Sequence, residues 1–166
     1  MDIQQKVDLT IEQWRRLRIE PYLKALELEN QNKNMEAMDS LNEISLFDFL
    51  KDFDVAVSKK TDELEKRVAQ RMREIFNKNS ITKENFMQAH DRITFASFFE
   101  SIRAARKSDD AYDKDFFIDR AGTSLALVFC EESQSKAKAF SAAARGILNA
   151  TKCSKFLEAK HRFPSL

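Results

Sequence analysis

The scarcity of residues that make tight turns is the feature that most constrains how this chain can fold. Only two glycines and two prolines occur among its 166 residues. Turns between β-strands depend on these residue types, because glycine accepts positive φ angles and proline fixes φ. Residues that favour helices, such as Ala, Leu, Glu, Lys and Arg, recur instead. The sequence therefore predicts an all-α fold, a compact bundle of about five to seven helices with one long central helix.

The composition predicts a single globular domain over residues 1–166. Hydrophobic residues make up 43% of the chain and charged residues 33%, a balance typical of folded and not of disordered proteins. No signal peptide is visible, and the longest apolar run, residues 125–130, is much shorter than a membrane span. Two cysteines, Cys130 and Cys153, are too few for a disulfide framework. We therefore expect a cytoplasmic protein without membrane contact.

Capping residues and apolar spacing indicate where the first helix begins and ends. Thr10 and Gln13 have the spacing of a capping box, which predicts that a helix starts there. Pro21 lacks an amide proton and clashes with the preceding turn, so a kink or break is expected near Glu20. The polar run at residues 30–34 predicts a loop.

The strongest helical pattern lies in the next part of the chain. Ser40 and Glu43 form a second potential capping box, and apolar residues recur at three-four spacing over residues 46–76. This pattern predicts one helix of about 30 residues, about 45 Å long, as the spine of the bundle. The pattern lapses at Lys60 and Thr61, so a break at that point is the alternative.

Phenylalanine is the exception in this helix-favouring composition, with fourteen residues against two Tyr and one Trp. Many of them fall in a helix predicted from an N-cap at Thr82 to about Lys107. At 100° per residue, its apolar residues cover more than half of the circumference. Such a helix is either buried at the centre of the bundle or has a spare face for a partner. The residues that we predict for a partner-binding face are Phe86, Ile93, Phe95, Phe98, Phe99 and Ile102.

Five aspartates within residues 108–119 resemble a metal site only at first sight. A calcium loop of the EF-hand type needs oxygen ligands at alternate positions, a glycine at the sixth position and a glutamate at the twelfth. Neither Asp109 nor Asp113 starts a frame that meets these requirements. The pattern instead favours a loop in which one helix ends at 108–110 and Asp113 or Asp115 caps the next.

No catalytic or metal-binding motif stands out elsewhere. The lone Gly122 and Gly146 cannot build a phosphate-binding loop, and no nucleophile elbow is present. The Cys and His residues lack the paired spacing of a zinc site. They are Cys130, Cys153, His90 and His161. We therefore predict no metal, no cofactor and no enzymatic activity, and keep an enzyme with an unrecognised site as a third hypothesis.

Charge is distributed unevenly along the chain. Residues 1–65 hold nine basic and fifteen acidic side chains, a net charge of −6, whereas residues 66–166 hold nineteen and twelve, a net charge of +7. Residues 133–166 carry seven basic side chains and one acid, Glu158. This segment is either the solvated face of an amphipathic helix or a contact surface for phosphates. The candidate anion or nucleic-acid contacts are Lys138, Arg145, Lys152, Lys155, Lys160 and Arg162.

Two functional hypotheses of different classes follow from these patterns. The first is a non-catalytic protein–protein interaction module that binds another protein, or itself as a homo-oligomer, through the Phe-rich helix face. An acidic N-terminal half and a basic C-terminal end would be complementary in such an assembly. The alternative is a nucleic-acid-associated protein that uses the basic segment at residues 133–166. No fingerprint of a known nucleic-acid-binding motif supports the alternative.

Overall fold

The computed structural model describes residues 1–58, 61–128, 138 and 141–146, and over these residues the fold is all-α, as predicted. It contains seven α-helices and no β-strand in this part of the chain. Residues 138 and 141–146 are also helical. The α-helices are α1 (Ile3–Trp14), α2 (Glu20–Asn30), α3 (Asn34–Asn42), α4 (Leu46–Val57), α5 (Glu63–Lys78), α6 (Lys83–Lys107) and α7 (Ala111–Val128), and a π-helical turn (Arg15–Ile19) connects α1 to α2.

The contacts within the chain group its residues into two compact units. The first unit comprises residues 1–27 and 39–89, and the second comprises residues 28–38 and 90–166. The first unit therefore contains α1, α4 and α5, and the second contains α7. Helix α6 contributes its N-terminal residues to the first unit and the remainder to the second. The single domain over residues 1–166 stays a prediction.

Helix α1 begins at Ile3 and not at Thr10. The Asp2 carboxylate accepts a hydrogen bond from the Gln5 amide at 2.8 Å, and the Gln5 side chain accepts one from the Asp2 amide at 3.0 Å. This reciprocal pair is a capping box. The Thr10 hydroxyl donates to the Lys6 carbonyl inside the helix, at 2.8 Å. The predicted start at Thr10 was wrong, because its hydroxyl bonds backward along an existing helix.

The irregularity predicted near Glu20 is present as a π-helical turn. The Glu20 amide donates to the Arg15 carbonyl, five residues earlier, which widens the helix immediately before Pro21. A proline ring clashes with the carbonyl four residues earlier in a regular α-helix. The wider turn lies where that clash would occur, and the chain continues into α2 instead of breaking.

The predicted continuous helix over residues 46–76 is two helices. Helix α4 ends at Val57, and the next residue, Ser58, has an extended backbone. Helix α5 begins after Asp62, whose side chain accepts a hydrogen bond from the Glu65 amide at 2.9 Å. The break occurs where the apolar spacing lapses, because Asp62 satisfies free amides at a new helix start.

The second predicted capping box is also corrected. Ser45, and not Ser40, caps α4, since its hydroxyl accepts from the Asp48 amide at 3.4 Å. Ser40 lies buried within α3. By contrast, the Thr82 cap is confirmed, because its hydroxyl accepts from the Asn85 amide at 3.0 Å. Turns also occur at the predicted loop over residues 30–34, where Asn32 has a positive φ angle, and between α5 and α6, where Ser80 has one.

Arg73 of α5 ties down the C-terminal end of α4. Its Nε and Nη2 atoms donate to the Ala56 carbonyl oxygen at 3.2 and 3.0 Å. The last carbonyls of a helix lack partners within that helix, so this contact satisfies a group that would otherwise need water.

We expect Arg73→Met to lower the free energy of unfolding by about 1–2 kcal/mol, because it leaves the Ala56 carbonyl without its charged donor. Urea denaturation followed by circular dichroism measures this difference. Arg67→Met is the matched control, since Arg67 forms only an exposed pair with Glu63 on the same helix. Its expected cost is about 0.5 kcal/mol or less. Equal losses for both variants would contradict the capping role of Arg73.

Aromatic side chains form the core of the first unit. Phe49 of α4 is 1% exposed and stacks on Phe86 of α6, with ring centroids 4.1 Å apart. Tyr22 lies 5.0 Å from Phe86, and Phe76 of α5 lies 5.9 Å from Phe49, again between centroids. Four helices therefore meet at Phe49. Its side chain fixes which face of α4 is turned away from solvent.

The core of the second unit is built from α6, α7 and the described C-terminal helical residues. Its buried members are Phe98, Phe99, Ile102, Ala105, Ile118, Ala121 and Ala144. Charged side chains attach residues 28–38 to this core. Arg92 of α6 pairs with Glu29 through both of its carboxylate oxygens, and Arg120 of α7 donates to the Met35 carbonyl at 2.6 Å.

Candidate protein-binding groove

The Phe-rich residues predicted for a partner-binding face lie mostly inside the chain. Phe86 belongs to the aromatic core of the first unit. Phe98, Phe99 and Ile102 belong to the core of the second unit, where Ile93 is also fully buried. Phe95 is half-buried. The broad apolar arc of α6 is therefore used for internal packing at five of the six positions, and a partner contact through these residues stays a prediction.

The basic residues predicted to contact anions lie largely beyond the part of the chain that is described. Lys138 is exposed. Arg145 is also exposed, and its Nη2 atom lies 2.7 Å from Oδ1 of Asp115 on α7. Lys152, Lys155, Lys160 and Arg162 lie outside the described residues. Nucleic-acid association through residues 133–166 therefore stays a prediction.

The aspartate-rich stretch is a helix-capping loop. Helix α6 ends at Lys107 and α7 begins at Ala111. The Asp110 carboxylate accepts from the amides of Tyr112 and Asp113, at 2.7 and 3.3 Å. The loop is confirmed, but the capping residue is Asp110 and not Asp113 or Asp115. An aspartate that holds the free amides of a helix start already has a structural role.

Two searches over the described residues found no further site. No group of three or more His, Cys, Asp and Glu side chains lies close enough together there to hold a metal ion. None of the helices in that same part of the chain is long and apolar enough to cross a membrane.

Helix α4 has apolar side chains on two opposite faces. At 100° per residue, Phe49, Phe53 and Ala56 lie on the face that packs inward. Phe47 lies on the opposite face and is 69% exposed, and Val57, at the edge of the inner face, is 50% exposed. An amphipathic helix packs onto a core through one apolar stripe. Phe47 therefore gives α4 an apolar surface that this packing does not use.

An open groove follows this outer face of α4 to the start of α5. Its volume is about 560 Å³. All of its lining residues belong to the first unit. They are Phe47, Leu50, Lys51, Asp54, Val55, Ser58, Thr61 and Glu65. We name this set the α4 groove. The interior is apolar, and one basic and two acidic side chains stand at its edges.

The charged residues of the α4 groove are accessible to a partner. Lys51, Asp54 and Glu65 are exposed. The Asp54 Oδ1 atom lies 3.4 Å from the Lys83 Nζ atom of α6, and both side chains are at least half exposed. Exposed ion pairs of this kind contribute little and exchange readily with water. Among the described residues, the Asp54 contact with Lys83 is therefore one that a partner's cation could replace.

A partly buried ion pair holds the flank of α4 against the π-helical turn. The Arg18 Nε atom lies 2.5 Å from Oδ2 of Asp52, and Arg18 also stacks over the Trp14 ring at 5.6 Å. Burial raises the pKa of the Asp52 carboxyl to about 6, although the Arg18 guanidinium acts in the opposite direction. Asp52 does not line the α4 groove. Its contacts orient the helix that presents Phe47.

The sequence pattern contained a signal for this groove that was missed. Phe47 stands outside the three-four spacing that includes Phe49 and Phe53. An aromatic residue placed off the core stripe indicates a second apolar face.

Comparison of the chain with protein-family models, with curated proteins and with solved structures found no match.

Proposed function

We propose that this chain is a non-catalytic protein-binding module whose α4 groove receives a helical segment of its partner. The observation that carries the proposal is the exposure of Phe47 at the mouth of an apolar groove. Aromatic side chains dominate binding energy at protein interfaces because they bury a large area at small entropic cost. In a monomer in water, this side chain and Val57 stay hydrated.

The shape of the site favours a helical segment as the ligand. The groove runs along the outer face of α4, a helix of 12 residues that is about 18 Å long. An amphipathic helix in a groove is a recurrent recognition mode, and its anchors follow three-four spacing. The mixed charges of Lys51, Asp54 and Glu65 would form the polar rim that such interfaces have around an apolar centre. The expected compartment remains the cytoplasm, on the basis of the two cysteines.

Photocrosslinking from position 47 tests this proposal in cells that make the protein. Phe47 is replaced by a benzophenone-bearing phenylalanine analogue, which preserves the aromatic character of the side chain. The matched control carries the same analogue at Tyr112, which is 78% exposed on α7 in the second unit. We expect a discrete adduct from position 47, and mass spectrometry of that adduct identifies the partner peptide.

The outcome is judged by the difference between the two positions. An adduct that forms from position 47, not from position 112, and disappears when Leu50→Glu is added supports the groove as the binding surface. Leu50 lines the groove beside Phe47, so a charge there should prevent docking. Equal yields from both positions, or adducts that survive Leu50→Glu, would show that Phe47 is only an exposed side chain.

A further inference from the structure

We propose that the α4 groove binds a second copy of this chain, with the two α4 helices packed antiparallel. The proposal rests on the function proposed above, because it names the occupant of the same groove. Such an interface is isologous, so each contact occurs twice. The arrangement of charges along the outer face of α4 carries the inference.

The outer face of α4 is a narrow stripe of four regularly spaced residues. Phe47, Lys51, Asp54 and Ser58 follow one another at intervals of four, three and four residues, the spacing of a helix-pairing seam. All four side chains are exposed. The midpoint of the stripe lies between Asp52 and Phe53. An antiparallel pair that is centred there aligns residues whose numbers sum to 105.

This register makes the stripe complementary to itself. Lys51 of one copy lies opposite Asp54 of the other, and the same pair recurs across the two-fold axis. At 100° per residue, Leu50 and Val55 flank the stripe on its two sides, so each lies beside its own counterpart in the other copy. A parallel pair in register would instead place Lys51 against Lys51 and Asp54 against Asp54. Like charges at such positions are unfavourable, so charge selects the antiparallel orientation.

The same register places Phe47 at one end of the α4 groove of the partner copy. It lies opposite Ser58, at the end of the groove that Val55 and Thr61 also line. A volume of about 560 Å³ is in the range of sites that hold small molecules, so a phenyl ring can enter. Because the contact is reciprocal, both Phe47 side chains become buried. The intramolecular pair of Asp54 with Lys83 is exposed and uses Oδ1 of Asp54, so Oδ2 is the atom that would receive Lys51 of the second copy.

The size of the contact sets the expected strength. A seam of 12 residues from each copy is small compared with standard interfaces of about 1,600 Å². We therefore expect a weak dimer with a dissociation constant between about 10 μM and 1 mM. Residues outside the described part of the chain do not enter this expectation.

Sedimentation equilibrium tests the register by comparing the full wild-type chain with two charge-reversal variants. Lys51→Glu places Glu against Asp54 twice, and Asp54→Lys places Lys against Lys51 twice. Each variant alone should dimerise at least about tenfold more weakly than the wild type. An equimolar mixture of the two variants should dimerise again, because every facing pair in the mixed dimer is of opposite charge. The double variant that carries both reversals should also regain the wild-type dissociation constant.

Control variants separate the effect of the seam on dimerisation from the effects of net charge and of misfolding. Lys24→Glu and Asp8→Lys change the charge equally at exposed positions of α2 and α1 outside the groove, and should leave the dissociation constant unchanged. Circular dichroism should be the same for all variants, since the reversals lie on an exposed face.

A wild-type chain that stays monomeric at about 1 mM overturns the proposal. So does a dimer that is insensitive to both reversals, or a mixture that does not associate. These failures are distinct from failure of the proposed function. Photoadducts from position 47 to a different protein would retain the groove as a binding site and reject the second copy as its occupant. Absence of any specific adduct would remove both.

Discussion

Replacing Phe49 by alanine is expected to lower the free energy of unfolding by about 3–5 kcal/mol. Phe49 is 1% exposed and contacts aromatic rings from α2, α5 and α6. Alanine leaves a cavity among these rings that cannot close without moving several helices, so dispersion contacts are lost along with hydrophobic transfer energy. Urea denaturation with tryptophan fluorescence measures the change, since Trp14 lies in the same unit.

Phe47→Ala is the matched control for this prediction. It removes the same side chain from the same helix, two residues earlier, but from a position that is 69% exposed. We expect its effect on the free energy of unfolding of the monomer to be within about 0.5 kcal/mol. Losses of equal size at the two positions would mean that the inner and outer faces of α4 are assigned incorrectly. The same variant should weaken association through the α4 groove, which separates its functional effect from folding.

The fold class followed from the sequence because every local preference agreed with it. Few glycines and prolines, good helix formers and three-four apolar spacing all indicate helices. Helix α6 was predicted with nearly correct bounds for a further reason. Thr82 is a strong N-cap, and the polar stretch after Lys107 interrupts the apolar pattern.

The errors concerned residues whose role depends on contacts far away in the chain. Thr10 and Ser40 have good capping spacing, but Thr10 lies within α1, which Asp2 caps, and Ser40 lies within α3, whereas Ser45 caps α4. The stripe over residues 46–76 lapses at Lys60 and Thr61, so it allowed one helix or two and did not decide between them. A local pattern indicates which residues are able to cap a helix, and tertiary packing decides which of them does so.

The position of the candidate site could be predicted less well than the fold. A helix with a broad apolar arc is compatible with burial and with binding, and only the neighbours of α6 decide between them. Those neighbours bury Phe98 and Phe99. Helix α4 raised no such expectation, because its outer apolar residues are few. The three-four pattern shows how many apolar residues recur along a helix, whereas a docking surface depends on which of them the fold leaves exposed.

The ion pair between Arg18 and Asp52 predicts an unusual dependence of stability on pH. The Asp52 side chain is 15% exposed, and burial raises its pKa from 3.8 to about 6. Arg18 of the π-helical turn and Lys51 oppose this shift, while Asp48 adds to it. Between these two pH values the folded state binds more protons at Asp52 than the unfolded state does. The stability contributed by this group is therefore fully present below about pH 3.8 and is lost as pH rises through about 6.

Asp52→Asn removes this titration, so the comparison with the wild type isolates it. The shift corresponds to about 3 kcal/mol at most, from 1.36 kcal/mol per pKa unit. Between pH 4 and pH 7, we expect the free energy of unfolding of the variant to rise by up to that amount relative to the wild type. Urea denaturation at each pH measures this difference. The ¹³C resonance of the Asp52 carboxyl should titrate near pH 6. If the variant instead becomes less stable than the wild type as pH rises, attraction to Arg18 exceeds the cost of burying the charge. The pKa of Asp52 in the folded state then lies below 3.8. The sign of the slope thus decides which of the two forces governs the contact that orients α4.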